Sequence, residues 1–364
     1  MRNFKSKRVS RLSVKGRISR FFVTVLAVVC ALLALTSCKS EAIDGETEYF
    51  GVLSGINVMY KDGMFTFENG LLSYLSFETE KIVPVCYKPN CTHDEESGCP
   101  ALISGVGTMF VCGDSLYTFE HGYSWDKKRG ETVITTTLFA SSVSGTDKHK
   151  VAEIEGCSVH GGAYVKEGRA YFTASEVEFD ETGSSTGYTK EYLYVCELAD
   201  GSVERLLELA DGHNAASCIE GCFDGRLVLQ QNDCSDTVSD YNNRKYNFYD
   251  PQTGDITPID GFVIRAQKDY LILKKDDALE IYPEGTDKPY VINDQRYVSP
   301  EWGGYAVVDG RLILSADGIA MDLESEKEYK TVACTLIALY NGGFIVRTPK
   351  HEYRFVADSE FYSE

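Results

Sequence analysis

From residue 47 onward the chain reads as short apolar runs broken by Gly and Asp, with almost no helical periodicity. Runs rich in Tyr, Val, Phe, Leu and Ile, bounded by turn formers, predict strands and tight turns. One unit recurs seven times: an apolar strand, a turn with Gly or Asp, and a second apolar strand. The copies are INVMYKDGMFTF (56–67), TMFVCGDSLYTF (108–119), AYVKEGRAYFTA (163–174), EGCFDGRLVLQ (220–230), VIRAQKDYLIL (263–273), YAVVDGRLILS (305–315) and LIALYNGGFIV (336–346). Gly and Asn accept the positive φ that a two-residue hairpin turn demands. The fifth copy, with Lys268 and Asp269 at the turn, lacks the glycine.

Most hairpins are followed by a third strand and, after a turn, a fourth. Examples are EYLYVCELADGSVERLLEL, KYNFYDPQTGDITPI, ALEIYPEGTDKPYVI and GIAMDLESEKEYKTV. The segment SVERLLELA has one helical face but occupies a strand position. Four strands per unit at this repeat length predict a β-propeller. The expectation is an all-β, seven-bladed ring; six blades would require discarding a copy, and eight would need a further hairpin. The seventh copy lacks a clear fourth strand. ETEYFGVL (46–53) reads as a lone strand that could supply it and close the ring, removing free sheet edges.

Blade topology sorts the loops. Turns between the first and second strands (A–B) lie on one face, and B–C turns and crossings between blades on the other. The predicted B–C connections are long in blades two (EHGYSWDKKRGETVITT), three (SEVEFDETGSSTGYTK) and four (QNDCSDTVSDYNNR). VCYKPNCTHDEESGCPAL (85–102) falls between blades one and two, on that same face. Loops on a rigid scaffold carry binding, so this face is the expected working surface.

The N-terminus adds an address. The first twenty residues carry eight Lys or Arg and no acid, and FFVTVLAVVCALLAL (21–35) follows. A basic segment before a short apolar core is the layout of a secretory signal; a spanning helix needs about 20 apolar residues. The tract ends in Leu35, Thr36, Ser37 and Cys38, which resembles the lipobox of bacterial lipoproteins. That resemblance implies cleavage before Cys38 and a diacylglyceryl group on its thiol. It divides the chain into a signal peptide (1–37), a lipidated tether (38–46) and a propeller (47–364). The implied partner is the cell membrane, with the protein facing outside the cytoplasm. Loss of residues 1–37 leaves 28 basic against 55 acidic residues, a net of −27. Such a field repels phosphate backbones and argues against nucleic acid.

Ten cysteines remain besides Cys38. Cys86, Cys91, His93 and Cys99 fall within fourteen residues, spaced C-x4-C-x-H-x5-C. By residue type this is a zinc ligand set; by count and compartment it is a disulfide cluster. It lacks the C-x2-C knuckle, and an oxidising compartment favours a stapled loop, so the disulfide reading leads, with zinc and free thiols as alternatives and no cofactor required. Cys112 is the nearest further partner. Cys218 and Cys222 form a C-x3-C pair that could bridge within tight strand geometry. Cys157, Cys196 and Cys334 read as small buried hydrophobes. GSSTG (183–187) matches the hydrolase G-x-S-x-G but has no helix after it. Asp233, Asp236 and Asp240 lack calcium-loop spacing. Tyr123, Trp125 and Trp302 are candidate ligand-facing aromatics. His121, His160 and His213 have no partner visible in a motif.

The whole pattern resembles the β-propeller domains of lipid-anchored proteins of Gram-positive bacteria, some of them similar to propellers of the low-density-lipoprotein-receptor-related proteins. The stretch 86–100 resembles one in these lipoproteins: Cys-x-x-Pro-x-Cys-x-His, acids, then Cys-Pro. The resemblance implies an architecture rather than an activity. The expected function is binding of a protein, peptide or glycan on the loop-rich face. A polysaccharide-active hydrolase or lyase and a structural envelope component are the alternatives.

If Cys38 carries the anchor, Cys38→Ala moves the protein from the membrane fraction to the soluble fraction or blocks processing. Unchanged processing and membrane retention, read by fractionation and immunoblot, would contradict the lipobox reading.

Overall fold

The computed structural model describes residues 57–363 apart from 69, 104, 127–130, 233–243 and 299–303. The closing strand expected at 46–53, Cys38 and Trp302 lie outside the described residues.

Seven antiparallel sheets follow one another along the chain. Blade one is β1 (Asn57–Tyr60), β2 (Gly63–Glu68), β3 (Leu71–Ser76) and β4 (Lys81–Pro84). Blade two is β5 (Val106–Cys112), β6 (Ser115–Asp126), β7 (Glu131–Ser142) and β8 (His149–Glu155). Blade three is β9 (Cys157–Lys166), β10 (Arg169–Phe179), β11 (Ser185–Glu197) and β12 (Val203–His213). Blade four is β13 (Ala216–Phe223), β14 (Arg226–Asn232), β15 (Arg244–Tyr249) and β16 (Ile256–Ile259). Blade five is β17 (Phe262–Ala266), β18 (Tyr270–Lys275), β19 (Ala278–Pro283) and β20 (Tyr290–Ile292), followed by the short helix α1 (Gln295–Val298). Blade six is β21 (Tyr305–Val308), β22 (Arg311–Leu314), β23 (Ile319–Asp322) and β24 (Glu328–Thr331). Blade seven is β25 (Thr335–Tyr340), β26 (Gly343–Arg347) and β27 (Tyr353–Ala357).

The A–B turns have the chemistry their sequences announce. Glu167 and Gly168, Asp224 and Gly225, Asp309 and Gly310, and Asn341 and Gly342 are all left-handed, φ between 46° and 78°. Two consecutive left-handed residues make the turn whose twist matches paired strands. Blade five, without the glycine, turns differently. Gln267 N–H bonds to Tyr270 O at 2.8 Å, and the Gln267 amide spans to the Val307 backbone of blade six.

Packing closes the ring. Seven clusters of buried apolar residues occur among the described residues, one at each junction between neighbouring blades. An open row of seven sheets would have six junctions. The seventh sets Met64, Leu75 and Phe77 of blade one against Ile337, Ala338 and Ile345 of blade seven. Glu80 of blade one also accepts a bond from Phe355 N at 2.9 Å. The C-terminus turns away from blade seven. After α2 (Asp358–Phe361), β28 (Tyr362–Ser363) pairs with β24, making blade six five-stranded. Phe361 is buried and its ring centroid lies 4.1 Å from that of Phe344, so the tail locks blades six and seven together.

The predicted long loops of blades two and three are strands. β6 and β7 pair from Ser115 to Asp126, and β10 and β11 from Arg169 to Phe179, so each B–C connection is a projecting hairpin. Alternation of Thr, Tyr, Val and Glu in these segments suits exposed strand surface. The comparable stretch of blade four lies outside the described residues.

Phe77 is 2 % exposed at the closing junction. Phe77→Ala should therefore lower unfolding free energy by about 3–5 kcal/mol, measured by urea denaturation; a change within experimental error would mean that this junction does not hold the ring.

Candidate functional site at the B–C end of the ring

Three features gather at the end of the sheets where strands B and C meet. The first is the cysteine loop. Its return leg bonds to the B–C turn of blade one: Leu72 N to Ala101 O at 2.8 Å and Ile103 N to Gly70 O at 2.9 Å. Val85, Cys99, Ala101 and Ile103 are buried against Leu72 of blade one and Met109 of blade two. Within the loop, Asp94 and Ser97 exchange bonds: Ser97 N to Asp94 Oδ1 at 2.8 Å and Ser97 Oγ to Asp94 O at 2.8 Å. These contacts hold the Asp94 carboxyl below its ordinary range. Lys88 Nζ bonds to the carbonyls of Ser97 and Gly98 from across the loop.

This folding brings Cys86, Cys91, His93 and Cys99 together, with their ligand atoms all within 4.8 Å of one another. His93 Nδ1 lies 3.3 Å from Cys99 Sγ. The nine described cysteines, these three included, are free thiols. The Ser97 hydroxyl and the His93 backbone bring the Cys91 thiol down to about 7, whereas burial pushes Cys86 up. Four soft and borderline donors converging on one point are what a tetrahedral metal requires.

Two of the disulfide options considered from sequence do not fit the fold. Cys112 ends β5 beside the A–B turn, at the opposite end of the sheet from the loop, so it is no partner for Cys86, Cys91 or Cys99. Cys218 and Cys222 both lie on β13. Four residues of strand span roughly 10–13 Å, beyond the ~7 Å that a bridge tolerates.

The second feature is a pair of hairpin tips. Tyr123 and Trp125 sit near the end of β6, 65 % and 49 % exposed. The blade-three turn at Gly183 lies against Trp125: a Cβ there would stand 3.1 Å from its ring and 2.9 Å from Thr132 Oγ1. Asp180 builds that turn, accepting bonds from Thr182 N, Thr182 Oγ1 and Ser184 N. GSSTG is thus a hairpin turn running into β11, which removes the hydrolase elbow. The two tips form one wall with aromatic rings on it. His213 packs edge-on against Tyr188 beside this wall.

The third feature is a polar cluster that joins β9 and β13, the neighbouring innermost strands of blades three and four, to β10 and β11. Glu191 on β11 is 1 % exposed. It accepts bonds from Ser175 Oγ, from Ser217 Oγ at 3.0 Å and from His160 Nε2 at 2.9 Å. Three donors satisfy the carboxylate without solvent. Strand A of blade four bulges between Ile219 and Gly221, which turns Glu220 out of the ladder. Cys218 Sγ donates to Glu220 Oε1 at 3.3 Å. Burial pushes the Glu220 carboxyl up, opposed by Cys218, Arg244 and Arg265. Burial, then Glu220, pushes the Cys218 thiol up.

His160 was singled out by sequence; Glu191, Ser175, Ser217 and Glu220 were not. Together with His160 they sit on four different strands, and only the register joins them. An acid at the head of the apolar run EYLYV was the one available sign.

No family model and no curated protein matches the chain. Solved structures do resemble it. The Pyrococcus horikoshii acylaminoacyl peptidase covers 88 % of this chain at 11 % identity with a TM-score of 0.38. The chain spans about half of that protein, 47 % of its length. An oligogalacturonate lyase in complex with manganese covers 79 % of this chain and 86 % of its own, at 8 % identity and 0.31. The WD40 domain of SCAP from fission yeast covers 86 % and 72 %, at 9 % and 0.34. Likenesses this distant carry no argument about activity. The class the fold defines is a seven-bladed β-propeller.

His121 yields a pH prediction. Burial holds its imidazole below the ordinary 6.5, the charge of His160 adds to that, and the Val159 carbonyl opposes it. Between the depressed value and 6.5 the unfolded chain binds more protons than the native one. Stability is therefore full above 6.5 and falls as pH drops through 6.5 toward the lowered value. The urea midpoint should fall more between pH 7 and pH 5 in the parent protein than in His121→Asn; equal falls would rule this group out.

Proposed function

We propose that the protein is a lipid-anchored propeller, facing outside the cytoplasm, that binds a protein, peptide or glycan across the B–C end of blades two and three. The observation carrying this reading is the wall of two abutting hairpins with Tyr123 and Trp125 exposed at its tips. Large rings held on paired strands offer contact area with little ordering entropy. The inner polar cluster stands on the same end of the ring and supplies hydrogen-bonding groups. The signal segment, the Cys38 tetrapeptide and the acidity of the remaining chain support the location and the absence of nucleic acid.

The Ser175, His160 and Glu191 constellation invites the rival reading of a hydrolase. Its geometry speaks against a relay. His160 Nε2 faces both Ser175 Oγ at 2.7 Å and Glu191 Oε2 at 2.9 Å, one nitrogen serving both. A relay uses opposite ring nitrogens for nucleophile and carboxylate. The Ser175 hydroxyl also donates to Glu191, which leaves it poorly placed to attack a substrate. The cluster fixes the orientation of His160 instead, whose side chain is one-third exposed at 34 %.

The chain has two tryptophans, so Trp302→Phe isolates Trp125. Titration with defined cell-wall oligosaccharides and peptides should give a saturable change in Trp125 emission with at least one of them, and Tyr123→Ala should weaken that binding about tenfold or more, as for an aromatic anchor worth ~2 kcal/mol. Tight binding with unchanged Trp125 emission would move the ligand site elsewhere.

A further inference from the structure

We propose that Cys86, Cys91, His93 and Cys99 bind one zinc ion, and that this ion is structural, clasping the crossing loop onto the junction of blades one and two. The argument begins with donor number. Three sulfurs and an imidazole nitrogen lie within 4.8 Å of one another. A tetrahedron with ~2.3 Å arms has edges of about 3.8 Å, so small side-chain movements complete the site. A disulfide among the three thiols would leave one sulfur over and give His93 no reason to be there. The remaining described cysteine nearest in sequence, Cys112, is at the far end of the sheet.

The backbone is shaped for convergence. Asn90, His93 and Gly98 are left-handed, with φ of 56°, 58° and 56°. Two of these are not glycine, and such residues persist where the surroundings over-determine them. They turn the chain just before Cys91, at His93 and just before Cys99. The Asp94–Ser97 exchange tightens the stretch between His93 and Cys99. Lys88 ties the first leg to the last through the Ser97 and Gly98 carbonyls.

Binding converts three thiols to thiolates and releases three protons, leaving a complex of net charge −1 with neutral His93. The Lys88 ammonium lies on the same loop to offset it. Sulfur-rich ligation selects zinc over calcium or magnesium. Four protein donors fill the tetrahedron and leave no open position for substrate. Cys99 is buried, and Cys86 and Cys91 pack on the apolar cluster joining blades one and two. The metal therefore fixes the loop that borders the proposed binding face.

The test uses the full chain, purified without chelator or reductant. Metal analysis by plasma mass spectrometry should give one zinc per chain. Alkylation with peptide mapping should find Cys86, Cys91 and Cys99 protected until chelator is added, while Cys112 is unaffected by chelator. Cobalt in place of zinc should show thiolate-to-metal charge-transfer absorption. Cys91→Ser should lose the metal, and His93→Cys should keep it with stronger cobalt absorption. If Cys91→Ser does not fold, the parent protein and His93→Cys still decide. A cross-linked peptide joining two of the three cysteines, another metal in place of zinc, or zinc that is retained unchanged in a folded Cys91→Ser variant would overturn the proposal.

Discussion

Met64, Leu75 and Phe77 packed on Ile337, Ala338 and Ile345 make the contact on which the rest of the ring depends. Each sheet has two apolar faces, and a sheet in the middle of a row covers both with its neighbours. Sheets one and seven can cover their outward faces only with each other. Burial of a large side chain is worth about 1.5–3 kcal/mol, so an open ring would expose several such residues at once. Closure also fixes the tilt of every blade, because seven junctions must share one full turn. Small residues serve that geometry where backbones approach. At Gly107 an added Cβ would stand 2.2 Å from the Val159 carbonyl of the next blade.

The two ends of the ring are unequal. The A–B end is trimmed to tight turns. The B–C end carries the projecting hairpins and the cysteine loop. Bulges occur in the inner pairs of blades two, three, four, five and seven. Those of blades two, three and four carry Gly107, the Gly161–Gly162 pair and Glu220. The first brings backbones close; the last presents a carboxylate. Irregular pairing is not confined to the inner pairs: β7–β8 and β11–β12 also shift register.

The architecture was legible because hairpin chemistry is local. Asp-Gly, Glu-Gly and Asn-Gly turns between apolar runs locate the inner two strands of nearly every blade. Blade five was the faintest, and the reason is Gln267: its side chain bonds to Val307 of blade six and replaces a glycine turn with a contact far away in sequence. The projecting strands of blades two and three read as loops because Gly, Ser, Thr and charged residues dominate them, although exposed strands tolerate these residues when paired. The C-terminal strand went unseen because two residues carry no periodicity. In the site, Cys86, Cys91, His93 and Cys99 were visible because they fall within one short stretch of sequence. The Glu191 cluster was not, since β10, β11, β9 and β13 each contribute one member and their relative register is not written locally.

Amide hydrogen exchange across the ring tests the central claim of closure most directly. The account predicts that amides of β2 and β26, flanking the junction of blades one and seven, exchange as slowly as those of β18 and β22 in the interior of the ring. Markedly faster exchange confined to blades one and seven would contradict it, because the ring would then be open at that junction.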